Sequence, residues 1–380
     1  MRAYVATPGF EAAICAELAA TSVECHGLAP GIVATDTPSG AEAAPVDPVF
    51  ARQILSDARE LGGSSVRALA EAAFAALEGA IDRWPGPFTV HAFTPPAPPA
   101  AGAPTALPGA RLAHARARAA RRTGAPARPD VRGDGGLRSR VPLVERELLA
   151  LIAERRKRAS RRHVPSVAPA AFDARVLLVQ LLLLSRERLF VSAAAPRPLP
   201  RGGFDLAPWP AGAPPVPDDR APPSRAYRKL EEAFQWMNAA PGPGETCIDL
   251  GAAPGSWTLM AARRVAQVLA VDRAPLAPAV ARVPGVTALA GDAFTYRPPS
   301  RVDWMLSDVV CDPPRAIGLV DDWLSARRCR NLVVTIKFKG RDQYGALAAL
   351  DPIFARAKAA FARVKHLATN KNEVTVMVRV

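Results

Sequence analysis

The sequence predicts an α/β protein with a doubly wound parallel sheet in its C-terminal half and a smaller α+β region before it. Three observations carry that reading. After residue 224, strand-like and helix-like segments alternate regularly, the pattern of a parallel sheet covered on both faces. A small-residue turn, "DLGAAPGS" (249–256), joins one such strand to a helix. "NLVVTI" (331–336) is a nearly continuous apolar run of the kind that fills the middle of a parallel sheet. That run is followed at once by Lys337, and an ammonium at the end of a buried strand has to be paired or made neutral.

The elements follow in order. Residues 2–7 read as a strand, and "PGFE" turns into a helix with Ile14 and Leu18 inward. Residues 49–63 combine a strand-like start with a helical continuation. Residues 65–81 form a helix with Leu69, Ala73, Phe74, Leu77 and Ile81 on one face, and 88–93 a strand. From 94 to about 140 the chain is rich in Pro, Ala, Gly and Arg, too poor in apolar residues to build a core. Residues 141–163 read as a helix with Leu148, Leu149 and Ile152 inward. Its basic tail (Arg155, Arg156, Lys157, Arg158, Arg161, Arg162) suits a helix C-terminus and equally an RNA-facing patch. "RVLLVQLLLL" and "RLFVSAAA" are two further strands, and 196–223 is a Pro/Gly-rich connector. Beyond it come helix 226–238, strand 245–250, helix 255–265, and strands 267–272, 286–290 and 302–307. Helix 316–327, strand 331–338, helix 351–362 and strands near 364–369 and 373–379 complete the alternation.

Composition narrows the function. Of 380 residues, 49 are Lys or Arg against 35 Asp or Glu, a formal charge of +14. Such a field favours a polyanion, nucleic acid first and an anionic membrane surface second. The longest apolar run, 176–184, is too short to span a bilayer, and the first residues lack the features of a signal peptide. Five widely spaced cysteines without a CxxC pair predict free thiols, no zinc site and a reducing compartment. The expectation is a cytoplasmic protein, monomeric, with no membrane partner and no metal.

The turn at 249–256 places Gly251, Ala252, Ala253, Pro254 and Gly255 where the backbone approaches a ligand at the carboxyl edge of the sheet. There is neither GxGxxG nor a phosphate-cradling GK[ST]. The next strand ends at Asp272, placed to accept hydrogen bonds from ribose hydroxyls, and Asp292 beyond the third strand suits an exocyclic adenine amine. An adenosine held without a pyrophosphate points to S-adenosyl-L-methionine.

Four segments, "SRAYRKLEEAF" (224–234), "SDVV" (307–310), "TIKFKG" (335–340) and "NKNEVTV" (370–376), resemble the four blocks of the FtsJ-type RNA ribose 2′-O-methyltransferases. That resemblance puts the family's Lys-Asp-Lys-Glu tetrad on Lys229, Asp308, Lys337 and Glu373. "TPGFE", "VFARQ", "DLGAAPGSWT", "AVDRAPL" and "NEVTVMVR" are similar to the RlmM family of bacterial 23S rRNA cytidine 2′-O-methyltransferases. The likeness covers nearly all of 222–380 and is patchy before it. It implies a Rossmann-like methyltransferase domain over 224–380, a ferredoxin-like segment over 1–63, a THUMP-like RNA-binding domain over 64–200 and a linker over 201–223. It implies 23S rRNA or a large-subunit precursor as partner. Ser224, Gly251, Ala253, Pro254, Gly255, Ser256, Trp257, Asp272, Asp292 and Asp308 would line the cofactor site, with Lys337 as proton acceptor. Ser256 stands where the family usually has a second Gly, and "SDVVCDPPR" departs from the family after its aspartate.

The chemistry of the residues agrees. A ribose 2′-hydroxyl is a poor nucleophile near neutrality, so methyl transfer needs it in line and losing its proton. A lysine accepts that proton only where its surroundings disfavour the ammonium. Lys337 is the expected base, with Asp308 and Glu373 orienting and Lys229 supplying charge and positioning. One rival is a base-amine methyltransferase using "CDPPR" (311–315), where Arg315 replaces the usual stacking aromatic. Another is a non-catalytic RNA-binding assembly factor that keeps the fold.

Overall fold

A computed structural model describes residues 1–36, 45–97 and 134–380. The expected Pro/Ala/Arg-rich insertion falls mostly on 98–133, outside the described residues. The chain divides into two compact units. One comprises 1–45, 53–197 and 206–212, and the other 46–52, 198–205 and 213–380.

The first unit holds two four-stranded sheets. Strands β1 (Arg2–Val5), β2 (His26–Ala29), β3 (Ile32–Thr35) and β4 (Gln53–Leu55), with helix α1 (Glu11–Ala19) after β1, form an antiparallel sheet of order β2-β3-β1-β4. The second sheet has the order β5-β8-β7-β6, built from β5 (Arg59–Gly62), β6 (Phe88–Phe93), β7 (Leu177–Leu183) and β8 (Arg188–Ala194). Helices α2 (Val66–Arg83), α3 (Asp134–Arg138), α4 (Val141–Arg155) and α5 (Lys157–Ser160) accompany it. Leu69, Ala73, Phe74, Leu77 and Ile81 of α2 are all buried against Leu148, Ile152, Val179 and Leu181, as the helical spacing predicts.

Three expectations are corrected here. Residues 59–62 are a strand, not the helical continuation read from 49–63, because pairing with Arg188–Val191 overrides local helix propensity. The helix expected over 141–163 breaks at Arg156, whose guanidinium bonds Glu78 and Asp82 of α2 instead of serving as part of a free basic tail. Leu151, rather than Leu149, completes its buried face. The cysteines are not all free: Cys15 on α1 and Cys25 just before β2 form a disulfide, with Cα atoms 5.6 Å apart. The chain doubles back after α1, a closeness that a ten-residue spacing does not reveal. Cys247, Cys311 and Cys329 are free thiols. Cysteine usage therefore gives no argument for a reducing compartment.

The second unit is a seven-stranded sheet of order β11-β10-β9-β12-β13-β15-β14. Its strands are β9 (Thr246–Leu250), β10 (Gln267–Asp272), β11 (Val286–Ala290), β12 (Val302–Ser307), β13 (Cys329–Lys337), β14 (Phe361–Lys365) and β15 (Glu373–Arg379). The first five pair in parallel, and β15 runs antiparallel between β13 and β14. Helices α6 (Tyr227–Met237), α7 (Ser256–Ala262), α8 (Pro278–Ala281), α9 (Pro313–Ser325) and α10 (Leu350–Arg356) complete it. The strand order reverses between β9 and β12, which opens a crevice beyond their carboxyl ends. Leu332 to Ile336 are fully buried, as the apolar run requires.

The last helix ends at Arg356, short of the expected 362, and β14 starts at Phe361 rather than near 364. Its inward residues are Phe361, Arg363 and Lys365, so the buried face of this strand carries two cations. Asp47 pairs with both, and Lys365 Nζ also donates to the carbonyls of Pro48 at 2.9 Å and Ala51 at 2.8 Å. Burial alone would raise the Asp47 carboxyl, but the two cations hold it below the ordinary carboxylate range.

Candidate active site

Four charged side chains converge beyond the sheet's carboxyl edge. Asp308 immediately follows β12. Lys337 ends β13 and lies directly opposite Glu373, the first residue of β15. Lys229 comes from the third position of α6, a strongly amphipathic helix whose buried residues also include Tyr227, Leu230, Glu232, Phe234 and Met237. Lys229 Nζ donates to both Asp308 oxygens at 2.8 Å and to Glu373 at 3.3 Å. Lys337 Nζ lies 3.0 Å from Asp308 Oδ1 and donates to the Asp308 carbonyl at 2.5 Å. The four formal charges cancel, the condition under which buried ions are tolerated. Side-chain exposure separates the two lysines: Lys229 shows 9% and Lys337 23%. Lys229 is locked between two carboxylates, while Lys337 is the cation that an incoming group can reach.

Next to this tetrad a cleft is lined by Gly251, Asp272, Asp292, Phe294, Val309 and Arg315, with Arg273, Gly291, Ala293 and Val310. Gly251 has φ +73°, and a Cβ there would sit 2.7 Å from Val309 Cβ. Only glycine permits that backbone so close to the neighbouring loop, which leaves the cleft wall bare. The Asp272 carboxylate accepts from the Ala253 amide at 2.9 Å and the Ala274 amide at 2.8 Å, which fixes it at the cleft. Asp292 accepts from the Phe294 amide at 2.8 Å and pairs with Arg273. The amide first, and then Arg273, keep its carboxyl below the usual range. Bare backbone and two carboxyl side chains on one cleft fit an adenosyl group with ribose hydroxyls and an exocyclic amine.

Of the expected cofactor residues, Gly251, Asp272 and Asp292 line this cleft. Gly255, with φ +109°, begins α7. Ser224, Ser256 and Trp257 direct their polar atoms toward one another and the start of α6. Ser224 N donates to Ser256 Oγ at 2.9 Å, and Trp257 Nε1 donates to the Ala226 carbonyl at 2.8 Å. Ala253 presents its amide to Asp272, and the Pro254 carbonyl accepts from the Ala277 amide at 3.0 Å.

Sequence reading missed Arg273, Phe294 and Asp249. Arg273 and Phe294 stand one and two residues past the expected aspartates, so adjacency was the signal. Asp249 lies on β9, 1% exposed, bonded by Thr258 Oγ1 at 2.6 Å. Burial, with repulsion from Asp308 and Asp272, raises its carboxyl to about 7. The "CDPPR" loop begins α9, with Pro313 and Pro314 in the first turn and Asp312 paired to Lys339 at 2.8 Å. Arg315 lies over the Phe294 ring, 3.8 Å from its centre. Burial pushes the Cys311 thiol up, so it is not an activated nucleophile.

No helix among the described residues is long and apolar enough to cross a membrane. No cluster of His, Cys, Asp and Glu among them could hold a metal.

Comparison with known proteins agrees with this geometry. Residues 222–360 match the FtsJ-like methyltransferase family. Ribosomal RNA large subunit methyltransferase M of Halorhodospira halophila is 39% identical over 175 residues, 45% of this chain and 51% of that protein. Its namesake in Pseudomonas putida is 36% identical over 211 residues, 52% of this chain and 57% of that protein. That of Alkalilimnicola ehrlichii is 41% identical over 147 residues, 37% of this chain and 41% of that protein. The chain spans about half the length of the curated relatives it matches. Over residues 222–360 the C-terminal unit of this chain is thus similar to FtsJ-like methyltransferases.

Proposed function

We propose that this protein is an S-adenosyl-L-methionine-dependent methyltransferase acting on a ribose 2′-hydroxyl, that of a cytidine in 23S rRNA, with Lys337 as general base. One observation carries the reading: Lys229, Asp308, Lys337 and Glu373 form a charge-balanced cluster in which Lys337 is the more open of the two lysines. The relatives' names supply the rRNA class, and the +14 charge is compatible with a polyanion. In this reading the ferredoxin-like and THUMP-like regions over 1–63 and 64–200 hold RNA by shape and backbone.

The cofactor, held by Gly251, Asp272 and Asp292, supplies a methyl group on a positively charged sulfur. Lys337 Nζ takes the 2′-hydroxyl proton. With the cofactor bound, that oxygen would be the acceptor of its methyl group. Asp308 orients Lys337 and is shared with Lys229. Glu373 secures Lys229. The target nucleotide is unpaired or flipped, because a 2′-hydroxyl within a helix is hard to place in line.

The base-amine alternative loses its structural support, since "CDPPR" serves as a helix start and Arg315 stacks on Phe294. The test is mass spectrometry of rRNA from a deletion strain. Loss of one ribose methyl, restored by the wild-type gene, supports the proposal. An unchanged ribose pattern with a lost base methyl contradicts it.

A further inference from the structure

Helix α6 carries Lys229 into the tetrad, yet its N-terminus has no side-chain cap of its own. An uncapped helix start frays, and Lys229 lies in that first turn. The missing restraint comes from α7, the helix that follows the Gly251–Gly255 turn. Ser256 Oγ accepts from the Ser224 amide at 2.9 Å and lies 2.8 Å from Ser224 Oγ. Ser224 Oγ in turn accepts from the Ala226 amide at 3.2 Å. The Ala226 carbonyl accepts twice, from the Lys229 amide at 3.1 Å and from Trp257 Nε1 at 2.8 Å. Ser256 is 4% exposed and Trp257 3%, so water does not readily replace these bonds.

We infer that Ser256 and Trp257 are positioning residues that transmit the placement of the cofactor loop to Lys229. The path is short. Gly251 lines the cleft, four residues lead from it to α7, and the side chains of Ser256 and Trp257 bond the segment whose carbonyl closes the Lys229 turn. The tetrad leaves little slack: Lys229 Nζ holds both Asp308 oxygens at 2.8 Å, and a displacement of about 1 Å takes such contacts beyond hydrogen-bond range. Comparable misplacements in active sites cost on the order of 100-fold in rate. The Ser256 hydroxyl makes the link stronger than a bare backbone would.

The inference rests on the methyltransferase reading, so its test includes a measurement independent of turnover. Trp257→Phe keeps an aromatic side chain, smaller than indole, and loses the N–H donor; Ser256→Ala keeps the Cβ and loses the hydroxyl. The readouts are kcat and its pH profile on rRNA, the Kd for S-adenosylhomocysteine, and amide hydrogen exchange of residues 227–231. Each variant is expected to lower kcat roughly 5- to 50-fold. The pH profile shifts, the Kd stays within about 3-fold, and exchange at 227–231 quickens. An unchanged kcat and pH profile with wild-type exchange overturns the inference. So does a loss of ligand affinity equal to the loss of kcat. If wild type itself fails to methylate rRNA, the functional reading falls, while exchange in the two variants still decides the coupling.

Discussion

Asp249 shows how one residue ties the site to stability. It is buried beneath the cleft, and its carboxyl is raised to about 7. Below about pH 4 it is protonated in folded and unfolded chains alike and contributes nothing to the pH dependence. As pH rises toward 7, the unfolded chain ionises first and is favoured, so the native state progressively loses stability. Above 7 the penalty is constant. Asn in its place retains an acceptor for Thr258 Oγ1 without that penalty. Asp249→Asn should therefore gain on wild type by roughly 2–4 kcal/mol between pH 4 and pH 8. Urea unfolding at the two pH values measures this, and a pH-independent difference contradicts it. Arg273 illustrates a residue that sequence alone did not reveal. It follows an expected ribose-binding aspartate, yet its guanidinium bonds Asp292, 19 residues further along the chain.

Among the elements, strands with continuous apolar runs were the most legible. β7, β12 and β13 lie within a few residues of their expected bounds, because burial on both faces leaves a one-sided composition. The elements misread from sequence are those held by charges or pairing. β5 is an edge strand with mostly exposed residues, so it has no apolar pattern to read. β14 faces the interior with Arg363 and Lys365, whose counter-ion, Asp47, lies more than 300 residues away. Removing that counter-ion should be costly, since it strands two buried cations. Asp47→Ala is expected to destabilise by about 3–5 kcal/mol. Denaturant unfolding followed by tryptophan fluorescence reports it, because Arg363 lies over the Trp236 ring. A change below about 1 kcal/mol would show that the cluster is solvated rather than dry.

At the scale of the whole molecule, the alternation of strands and helices was legible in the sequence and the tetrad residues were named through the family resemblance, whereas the strand order, the disulfide and the Arg273–Asp292 pair required the folded chain. Motif spacing places charges at the carboxyl ends of β12 and β13 and at the start of β15. Only the register, with Lys337 opposite Glu373, shows that they meet. The interlock of α6 with α7 belongs to the same category, since Ser256 and Trp257 lie about thirty residues from the segment they hold. Lys337 is where these levels meet: a buried strand delivers it, Asp308 pairs with it, and in the proposed reading its greater exposure leaves it open to a sugar hydroxyl. The most direct measurement is single-turnover methyl transfer to deletion-strain rRNA by Lys337→Ala, with S-adenosylhomocysteine affinity measured alongside. The account predicts a rate loss of roughly 100- to 10,000-fold with affinity within about 3-fold of wild type. A rate within a few-fold of wild type would contradict it.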